Sequence, residues 1–394
     1  MTESEYDAVV VGARPAGAAT ALLLARAGLR VLVVDRSARG ADTLSTHALM
    51  RTGVLQLSRW QVLDRVVDAG TPPVRSATFH LGPEPITIPI EPTDGIDALY
   101  APRRTVLDPI LADAAAAAGA ELRYGVAVIG LCRDRTGRVT GIVGRDAAGN
   151  AFTARARITV GADGMGSRVA QWVDASIERA GAAASGVVYG YWTGLPLDGY
   201  HWYFRPGAAA GAIPTNHGQT CVFVSTTRQG LRDAVRDDLA TGFGRMLGAA
   251  APELVDLIGA SAPVGPLHRF SGRAGHLRRA AGPGWALVGD AGYFKDPISA
   301  HGLTDALRDA ELLARAIIAA SAGDEAALLA GYQAIRDRLS MPLFGVTNAI
   351  ASYSWDTPTI SSLLRQLSAA MAGELGEVRG FDDMPASAMC LAAS

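Results

Sequence analysis

Two short apolar runs near the N-terminus flank a stretch that is rich in small residues. The run YDAVVVG ends at Gly12, the stretch AGAATALLLARAG ends at Gly28, and the run LRVLVVDR contains Asp35. Apolar runs rich in β-branched residues predict buried parallel strands, and a glycine after an Ala/Leu-periodic stretch predicts the end of a helix. The order of strand, glycine turn, helix, strand and acid predicts a βαβ unit of Rossmann type.

The turn of this unit has the composition of a phosphate cradle. Gly12 permits a tight turn, Gly17 lets the helix approach the strand, and the start of the helix offers free N–H groups to an anion. Asp35 follows Gly12 by 23 residues, close to the distance of about 20 for an acid that binds a ribose hydroxyl. Arg14 stands where a second glycine is usual. We expect the cradle to work if φ is negative at Arg14 and its side chain turns aside.

A second strand, loop and helix appear late in the chain, in WALVGDAGYFKDPISAHGLTDALRDAELLARAI. An apolar strand runs into Gly289 and Asp290, a loop contains Pro297 and Gly302, and a long Ala/Leu-periodic helix follows. Four other stretches complete the pattern. They are LMRTGVLQL with Arg51, YAPRRTVLDPIL with Arg104, YGVAVIGL with Val128, and VGADGMGSRVA with Asp163 and Ser167.

Together these stretches resemble the FAD-dependent monooxygenases of the para-hydroxybenzoate hydroxylase fold, which are related to flavin halogenases and geranylgeranyl reductase-like flavoproteins. The resemblance covers roughly residues 6–335, and its motifs are specific jointly rather than singly. The sequence departs from the family pattern at Arg14, Ala170, Ser299 and Thr304. The resemblance implies that FAD is bound by Gly12, Ala13, Pro15, Ala16, Gly17, Asp35, Arg36, Arg51, Arg104, Val128, Asp163, Asp290, Pro297, Gly302 and Leu303.

The implied fold is α/β, with a Rossmann-type FAD-binding domain of three layers (β/β/α), an interleaved antiparallel-sheet substrate domain and C-terminal helices. The expected FAD domain is discontinuous and comprises residues 1–75, 100–180 and 265–335. Residues 76–99 and 181–264 alternate between apolar and polar positions and predict the substrate-binding sheet. Residues 336–394 are expected to form helices and a tail. Aromatic residues in the sheet, including Tyr191, Trp202 and Phe204, are candidates for a substrate pocket, although filling one face of the sheet would equally require them.

Composition narrows the possible partners. The chain has 394 residues, is 49% hydrophobic and carries a net charge of −2, which is enough for a large core and does not favour nucleic acid. The three cysteines form no C-x-x-C pair, no apolar run reaches the length of a membrane span, and the N-terminus MTESEYD does not resemble a signal peptide. These features predict a cytoplasmic protein with no membrane span. The histidines show no metal-binding spacing, so no metal is expected.

The resemblance also implies the chemistry. NADPH or NADH would reduce FAD as a transient partner, O₂ would add at the flavin C4a, and the distal oxygen of that hydroperoxide would pass to a small aromatic or polycyclic substrate. His47 and Lys295 are candidate catalytic residues; stabilisation of a loop by His47 and a surface position for Lys295 are the alternatives. A flavin-dependent double-bond reductase, a flavin halogenase and a non-catalytic flavin-binding protein remain alternative functions. A monomer or homodimer is expected.

Overall fold

The computed structural model describes residues 4–259, 261–321 and 323–381. The strands are β1 (Ser4–Val11), β2 (Val31–Asp35), β3 (Ser76–His80), β4 (Ile86–Pro89), β5 (Glu121–Tyr124), β6 (Ala127–Arg133), β7 (Val139–Arg145), β8 (Ala151–Gly161), β9 (Ile177–Ala180), β10 (Ser185–Thr193), β11 (Tyr200–Arg205), β12 (Ala208–Thr215), β13 (Gln219–Thr227), β14 (His268–Phe270), β15 (His276–Arg278), β16 (Ala281–Gly282), β17 (Trp285–Leu287) and β18 (Tyr293–Phe294). The helices are α1 (Pro15–Arg26), α2 (Arg51–Arg59), α3 (Leu63–Asp68), α4 (Arg104–Ala117), α5 (Arg168–Trp172), α6 (Arg228–Ala234), α7 (Leu239–Ala250), α8 (Pro252–Ile258), α9 (Gly302–Ala319), α10 (Glu325–Ile350) and α11 (Thr357–Arg379).

An eight-stranded sheet contains the βαβ unit that the N-terminal pattern predicts. Its main path runs β16-β17-β8-β1-β2-β5, and β1 pairs in parallel with both β2 and β8. The antiparallel pair β6–β7 continues from β8, while α1 packs against α4 and α9. Val9 and Val10 of β1 are fully buried and belong to two different hydrophobic clusters. Because successive side chains of a strand point to opposite faces, both faces of this sheet are covered, which explains the unbroken apolar runs. The α/β fold with its Rossmann-type domain is confirmed.

A seven-stranded sheet has the order β14-β10-β13-β12-β11-β3-β4. Its strands pair antiparallel except β11 and β3, which are parallel. Alternation decides what each face contacts: Tyr191 and Trp202 join the main core, whereas Val188 and Tyr203 pack in a cluster with residues of α7 and α8. Both faces of the central strands β10 and β13 are thus buried, whereas the edge strand β4 is exposed.

Two features differ from the segments predicted above. β14 lies within residues 265–335, which the sequence assigns to the FAD domain, but it pairs with β10 of the seven-stranded sheet. The final helices also begin earlier than residue 336, because Asp324 caps α10 with its side chain and starts that helix at Glu325. The division into domains stays a prediction, and the expected tail at residues 382–394 lies outside the described residues. Among the helices of the described residues, none is long and apolar enough to span a membrane.

Candidate active site

A cavity of about 580 Å³ opens where the strands of the eight-stranded sheet end. The strand ends and loops that bound it come from distant parts of the sequence. Gly12 follows β1, Asp35 ends β2, Asp163 follows β8, and Asp290 follows β17. Ligands of open α/β sheets bind at the carboxyl ends of such strands. Of the residues assigned to the cofactor above, those that line the cavity are Gly12, Pro15, Ala16, Asp35, Arg36, Arg104, Val128, Asp163, Asp290, Pro297, Gly302 and Leu303.

The turn between β1 and α1 has the geometry of an anion cradle. Gly12 has a φ of +112°, and a Cβ there would lie 2.4 Å from the carbonyl oxygen of Ala162. A Cβ at Gly17 would lie 1.9 Å from the carbonyl oxygen of Gly12, so both glycines are required by close backbone approach. Ala13 lines a small recess beside the main cavity. No side chain caps the start of α1, so its first-turn amides remain available to an anion.

Arg14 does not obstruct this cradle. Its φ is −84° and its ψ −179°, an extended conformation that any residue adopts, so the expected negative φ is confirmed. The guanidinium turns toward α4, where Nη1 lies 3.9 Å from Oδ2 of Asp108. The same carboxylate accepts two bonds from Arg104, of 2.6 Å from Nε and 2.8 Å from Nη2. Arg104, which also lines the cavity, is therefore held in place by a buried bidentate pair.

Asp35 occupies the position that suits a ribose-binding acid. Its Oδ2 accepts a bond of 2.8 Å from the Ala13 N–H, and its Oδ1 accepts one of 2.7 Å from the Ser37 N–H. These bonds fix the carboxylate against the glycine turn. Each oxygen can accept more than one hydrogen bond, so a hydroxyl in the cavity would still find an acceptor.

Asp163 organises the D-G-x-x-S stretch. Its carboxylate accepts bonds from the Ser167 hydroxyl (2.5 Å) and from the Arg168 and Val169 N–H groups, while the Ser167 hydroxyl accepts from Ala170 N–H and caps α5. These hydrogen bonds make the stretch from Asp163 to Ala170 a well-braced loop on the cavity wall.

Asp290 and the loop before α9 form the other end of the cavity. Burial raises the pKa of Asp290 to about 6, although Lys295 and Arg104 act to lower it. Asp296 accepts bonds from the Ile298 N–H and from the N–H and hydroxyl of Ser185, which ties the loop to β10. A Cβ at Gly302 would meet no atom within 4 Å, and Gly302 lines the cavity. The loop therefore presents open backbone to a planar ligand.

The loop also explains two departures from the family pattern. The left-handed conformation falls on Ala300, with a φ of +50°, and not on Ser299. A glycine at position 299 is therefore not required by backbone conformation. Thr304, which stands where an Asn is usual, accepts a bond of 3.0 Å from the Met50 N–H at the start of α2. Its side chain joins the loop to the chain that follows His47.

Arg51 is a correction to the set of cofactor residues. Its guanidinium donates to the carbonyl oxygens of Glu91 (2.7 Å) and Ile96 (3.0 Å), and it does not line the cavity. The motif places Arg51 correctly at the start of α2, but its long side chain turns to the loop after β4, where it donates to these two backbone carbonyls. Arg51 therefore supports that loop instead of a pyrophosphate.

His47 and Tyr191 come together although 144 residues separate them. His47 is buried, has a φ of +69°, and its Nε2 lies 2.6 Å from the Tyr191 hydroxyl. Burial lowers the pKa of His47 well below its ordinary value, and Arg103 and Arg104 lower it further, so the imidazole is neutral. The Arg103 guanidinium stacks 3.7 Å from the centre of the Tyr191 ring. Nδ1 of His47 has no hydrogen-bond partner among the described residues.

The candidate substrate residues do not line this cavity. Trp202 packs edge-on against Tyr200, and Phe204 packs against Trp355. Tyr191 contacts the cavity wall through His47 and Tyr189. The structure places Tyr189 on the cavity wall instead, with its hydroxyl accepting from the Ser45 N–H. Tyr189 belongs to the same group of aromatic residues in the sheet and shares a face of β10 with Tyr191, but alternation alone does not tell which of the two reaches the cavity.

Lys295 lies in the cavity wall and is not a surface lysine. It forms an ion pair with Asp305 of α9, and its side chain is almost fully buried. Burial lowers its pKa to about 7, with Arg308 acting in the same direction. The pairing makes Lys295 part of a buried charged cluster behind the loop.

The cavity thus combines an anion cradle, a ribose acceptor, a planar backbone loop and an apolar wall, which fits an FAD molecule lying across the strand ends. Comparison with known proteins agrees with a flavin-binding fold. A digeranylgeranylglycerophospholipid reductase of Methanocella arvoryzae is 25% identical over 86% of this chain and 85% of its own. A 2,4-dichlorophenol 6-monooxygenase of Delftia acidovorans is 29% identical over 54% of this chain and 40% of its own. The flavin-dependent brominase Bmp2 has a TM-score of 0.79 at 18% identity, covering 95% of this chain and 98% of its own, and so shows the fold alone.

These relatives and this structural neighbour represent a reductase, a monooxygenase and a halogenase, so the likeness supports the cofactor more strongly than the reaction. The sequence profile of the FAD binding domain matches residues 5–344. The chain therefore belongs to the FAD binding domain family and is an FAD-dependent oxidoreductase.

Proposed function

We propose that this protein is a single-component monooxygenase that uses NADPH or NADH to hydroxylate a small aromatic or polycyclic substrate bearing an acidic hydroxyl. One oxygen atom of O₂ would enter a substrate C–H bond as a hydroxyl and the other would leave as water. NAD(P)H would supply the two electrons as a hydride, and this hydride together with one proton from solution would provide the two hydrogens of the water. We also propose that it works in the cytoplasm as a monomer or homodimer.

The residues around the cavity would divide the work. The cradle at Gly12 and the start of α1 would bind the pyrophosphate, Asp35 the ribose, and Asp290 the ribitol. The loop from Pro297 to Leu303 would position the flavin ring. Bound FAD would supply electron transfer and O₂ activation. The buried walls would exclude water from the reacting centre.

The neutral pair of His47 and Tyr191 is the observation that supports this proposal most. If the His47 Nε2–H donates to the Tyr191 hydroxyl, Nδ1 is the nitrogen left to accept a proton. A phenol that gives its proton to Nδ1 becomes a more electron-rich ring, which oxygen transfer requires. Tyr189 on the wall would stack with or pack against that ring. The left-handed backbone at His47 is strained, and such strain concentrates at functional sites.

Reduction of a double bond is the second candidate, because the Methanocella reductase aligns with most of this chain. Oxygen dependence separates the two reactions. Purified FAD-loaded protein is mixed with NADPH or NADH and a panel of phenols and isoprenoids, with and without O₂. The monooxygenase consumes substrate only with O₂, whereas a reductase converts an isoprenoid without O₂. Conversion in its absence would contradict the proposal.

His47→Gln then tests the role of the pair, with His217→Gln as the control at an exposed histidine that also has left-handed backbone. The glutamine side chain can still hydrogen-bond to Tyr191 but cannot accept a proton. We expect a fall in turnover of about 100-fold or more, in the range of a lost acid–base group, with FAD binding unchanged. Unchanged turnover would exclude His47 as the proton acceptor.

A further inference from the structure

A closed cluster of charged side chains lies directly behind the loop that borders the cavity. His301 stands between Ala300 and Gly302, which both line the cavity, yet its ring points inward and its side chain is fully buried. The ring touches two carboxylates. Nδ1 lies 3.1 Å from Oδ1 of Asp305, and Nε2 lies 3.0 Å from Oε2 of Glu374. Glu374 comes from α11, so the last helix reaches back to the start of α9.

Two cations share these carboxylates. Arg308 bonds to Asp305 (3.2 Å), to Glu374 (2.9 Å) and to Asp309 (2.7 Å), and Lys295 pairs with Asp305. His301, Asp305 and Glu374 are also side-chain types that bind metals, but Arg308 already forms an ion pair with each of the two carboxylates. The charged or titratable groups that face His301 or its partners are Lys295, Asp305, Arg308, Asp309, Glu374, Tyr293 and Asp290.

Charge and geometry both favour a proton on the ring. Lys295 and Arg308 are two positive charges against the three carboxylates of Asp305, Asp309 and Glu374, so a neutral His301 leaves one buried negative charge in excess. Such a charge is costly away from water. A neutral imidazole also has only one N–H. Its other nitrogen would then carry a lone pair within about 3 Å of a carboxylate oxygen, a proximity that is repulsive.

Burial and neighbouring charges act in opposite directions on the pKa values of His301 and Glu374. Burial, together with the charges of Lys295 and Arg308, lowers the pKa of His301 overall, and Glu374 acts against that effect. Burial raises the pKa of Glu374, but His301 and Arg308 outweigh it and bring that pKa to about 2. Glu374 is therefore ionised. We assign the proton to His301 because a carboxylate oxygen lies about 3 Å from each nitrogen of its ring.

We propose that His301 is a buried imidazolium and a redox-positioning residue, whose positive charge behind the loop favours the reduced, more negatively charged form of bound FAD. The backbone of His301 lies between two residues of the cavity wall, so its charge acts across one layer of protein with little screening. Glu374 and Asp305 hold the proton in place. The inference rests on FAD binding, which the family establishes, and not on the proposed reaction.

The proton itself is tested by nitrogen NMR of the FAD-loaded protein with labelled histidine. We expect one ring, assigned by its loss in His301→Gln, to carry slowly exchanging protons on both nitrogens near neutral pH. Glu374→Gln should lower the pKa of that ring. If no histidine ring of the wild-type protein carries protons on both nitrogens near neutral pH, the proposal is overturned, whether or not either variant folds.

The redox role is tested by the midpoint potential of bound FAD. We expect His301→Gln to reduce the preference for reduced over oxidised FAD about tenfold, which lowers the potential by about 30 mV for a two-electron couple. The control is Glu377→Gln, which removes a carboxylate that pairs with Arg338 on α11, the helix that carries Glu374. The control should leave the potential unchanged. An unchanged potential in His301→Gln would overturn the redox role, and neither readout requires a substrate.

Discussion

Replacement of Arg14 by glycine tests whether the phosphate cradle depends on backbone geometry alone. The backbone at Arg14 is extended with negative φ, so glycine relieves no strain there. The side chain is one-third exposed and its distance to Asp108 is 3.9 Å, which makes a weak ion pair. Exposed pairs contribute about 0–1 kcal/mol, and Asp108 keeps both bonds to Arg104. We expect FAD affinity to change less than about threefold, or under about 1 kcal/mol.

The matched variant is Gly12→Ala in the same turn. A φ of +112° and a backbone oxygen 2.4 Å from the new Cβ make alanine incompatible with the turn. Strained backbone of this kind costs about 1–3 kcal/mol before any clash is counted, so FAD affinity should fall at least about tenfold. Fluorescence titration of apoprotein with FAD measures both variants. A hundredfold loss for Arg14→Gly would show that its guanidinium is a principal phosphate ligand and would refute the reasoning.

Three further predictions concern the carboxylates and His47. Asp35→Ala should weaken FAD binding by about 1–3 kcal/mol. The control Asp7→Ala, which removes an acceptor for the Arg30 N–H outside the cavity, should leave FAD binding unchanged. Equal FAD affinities of the two variants would show that Asp35 does not bind the ribose. The pKa of Asp290 is raised to about 6, so its contribution to the stability of the FAD-free protein is complete below about pH 4 and lost as pH rises through 6. Asp290→Asn should then melt higher than wild type above that range but match it below, and a constant difference would contradict the raised pKa. Because the pKa of His47 lies well below 6.5, the pH profile of kcat/KM should show no histidine ionisation between about pH 6 and 8. An ionisation in that range that disappears in His47→Gln would show that the ring of His47 titrates there.

The parts of the site that sequence predicts are those set by local backbone. Gly12, Asp35 and Asp290 follow strands whose apolar runs are visible in the sequence, and parallel strands end at one edge of the sheet. Side-chain direction is not visible in the same way. Arg51 is correctly placed on a helix, yet two backbone carbonyls draw its guanidinium away from the cavity.

Contacts between distant segments explain the remaining differences. The pairing of His47 with Tyr191 depends on how β10 lies over the loop after β2, which no local pattern encodes. The cluster around His301 was not predicted, because Glu374 reaches it from a helix whose sequence gives no reason to approach the cavity. The pairing of β14 with β10 of the seven-stranded sheet was not predicted, because a strand of three residues has too short a pattern to indicate its partner.

Labelled oxygen tests the proposed function most directly. The FAD-loaded protein is supplied with NADPH or NADH, ¹⁸O₂ and a phenolic substrate that it consumes, and the product is analysed by mass spectrometry. We expect one ¹⁸O atom in each product molecule when the O₂ is labelled, and none when the water is labelled instead. A product that contains no atom from O₂ would contradict a monooxygenase and favour the reductase.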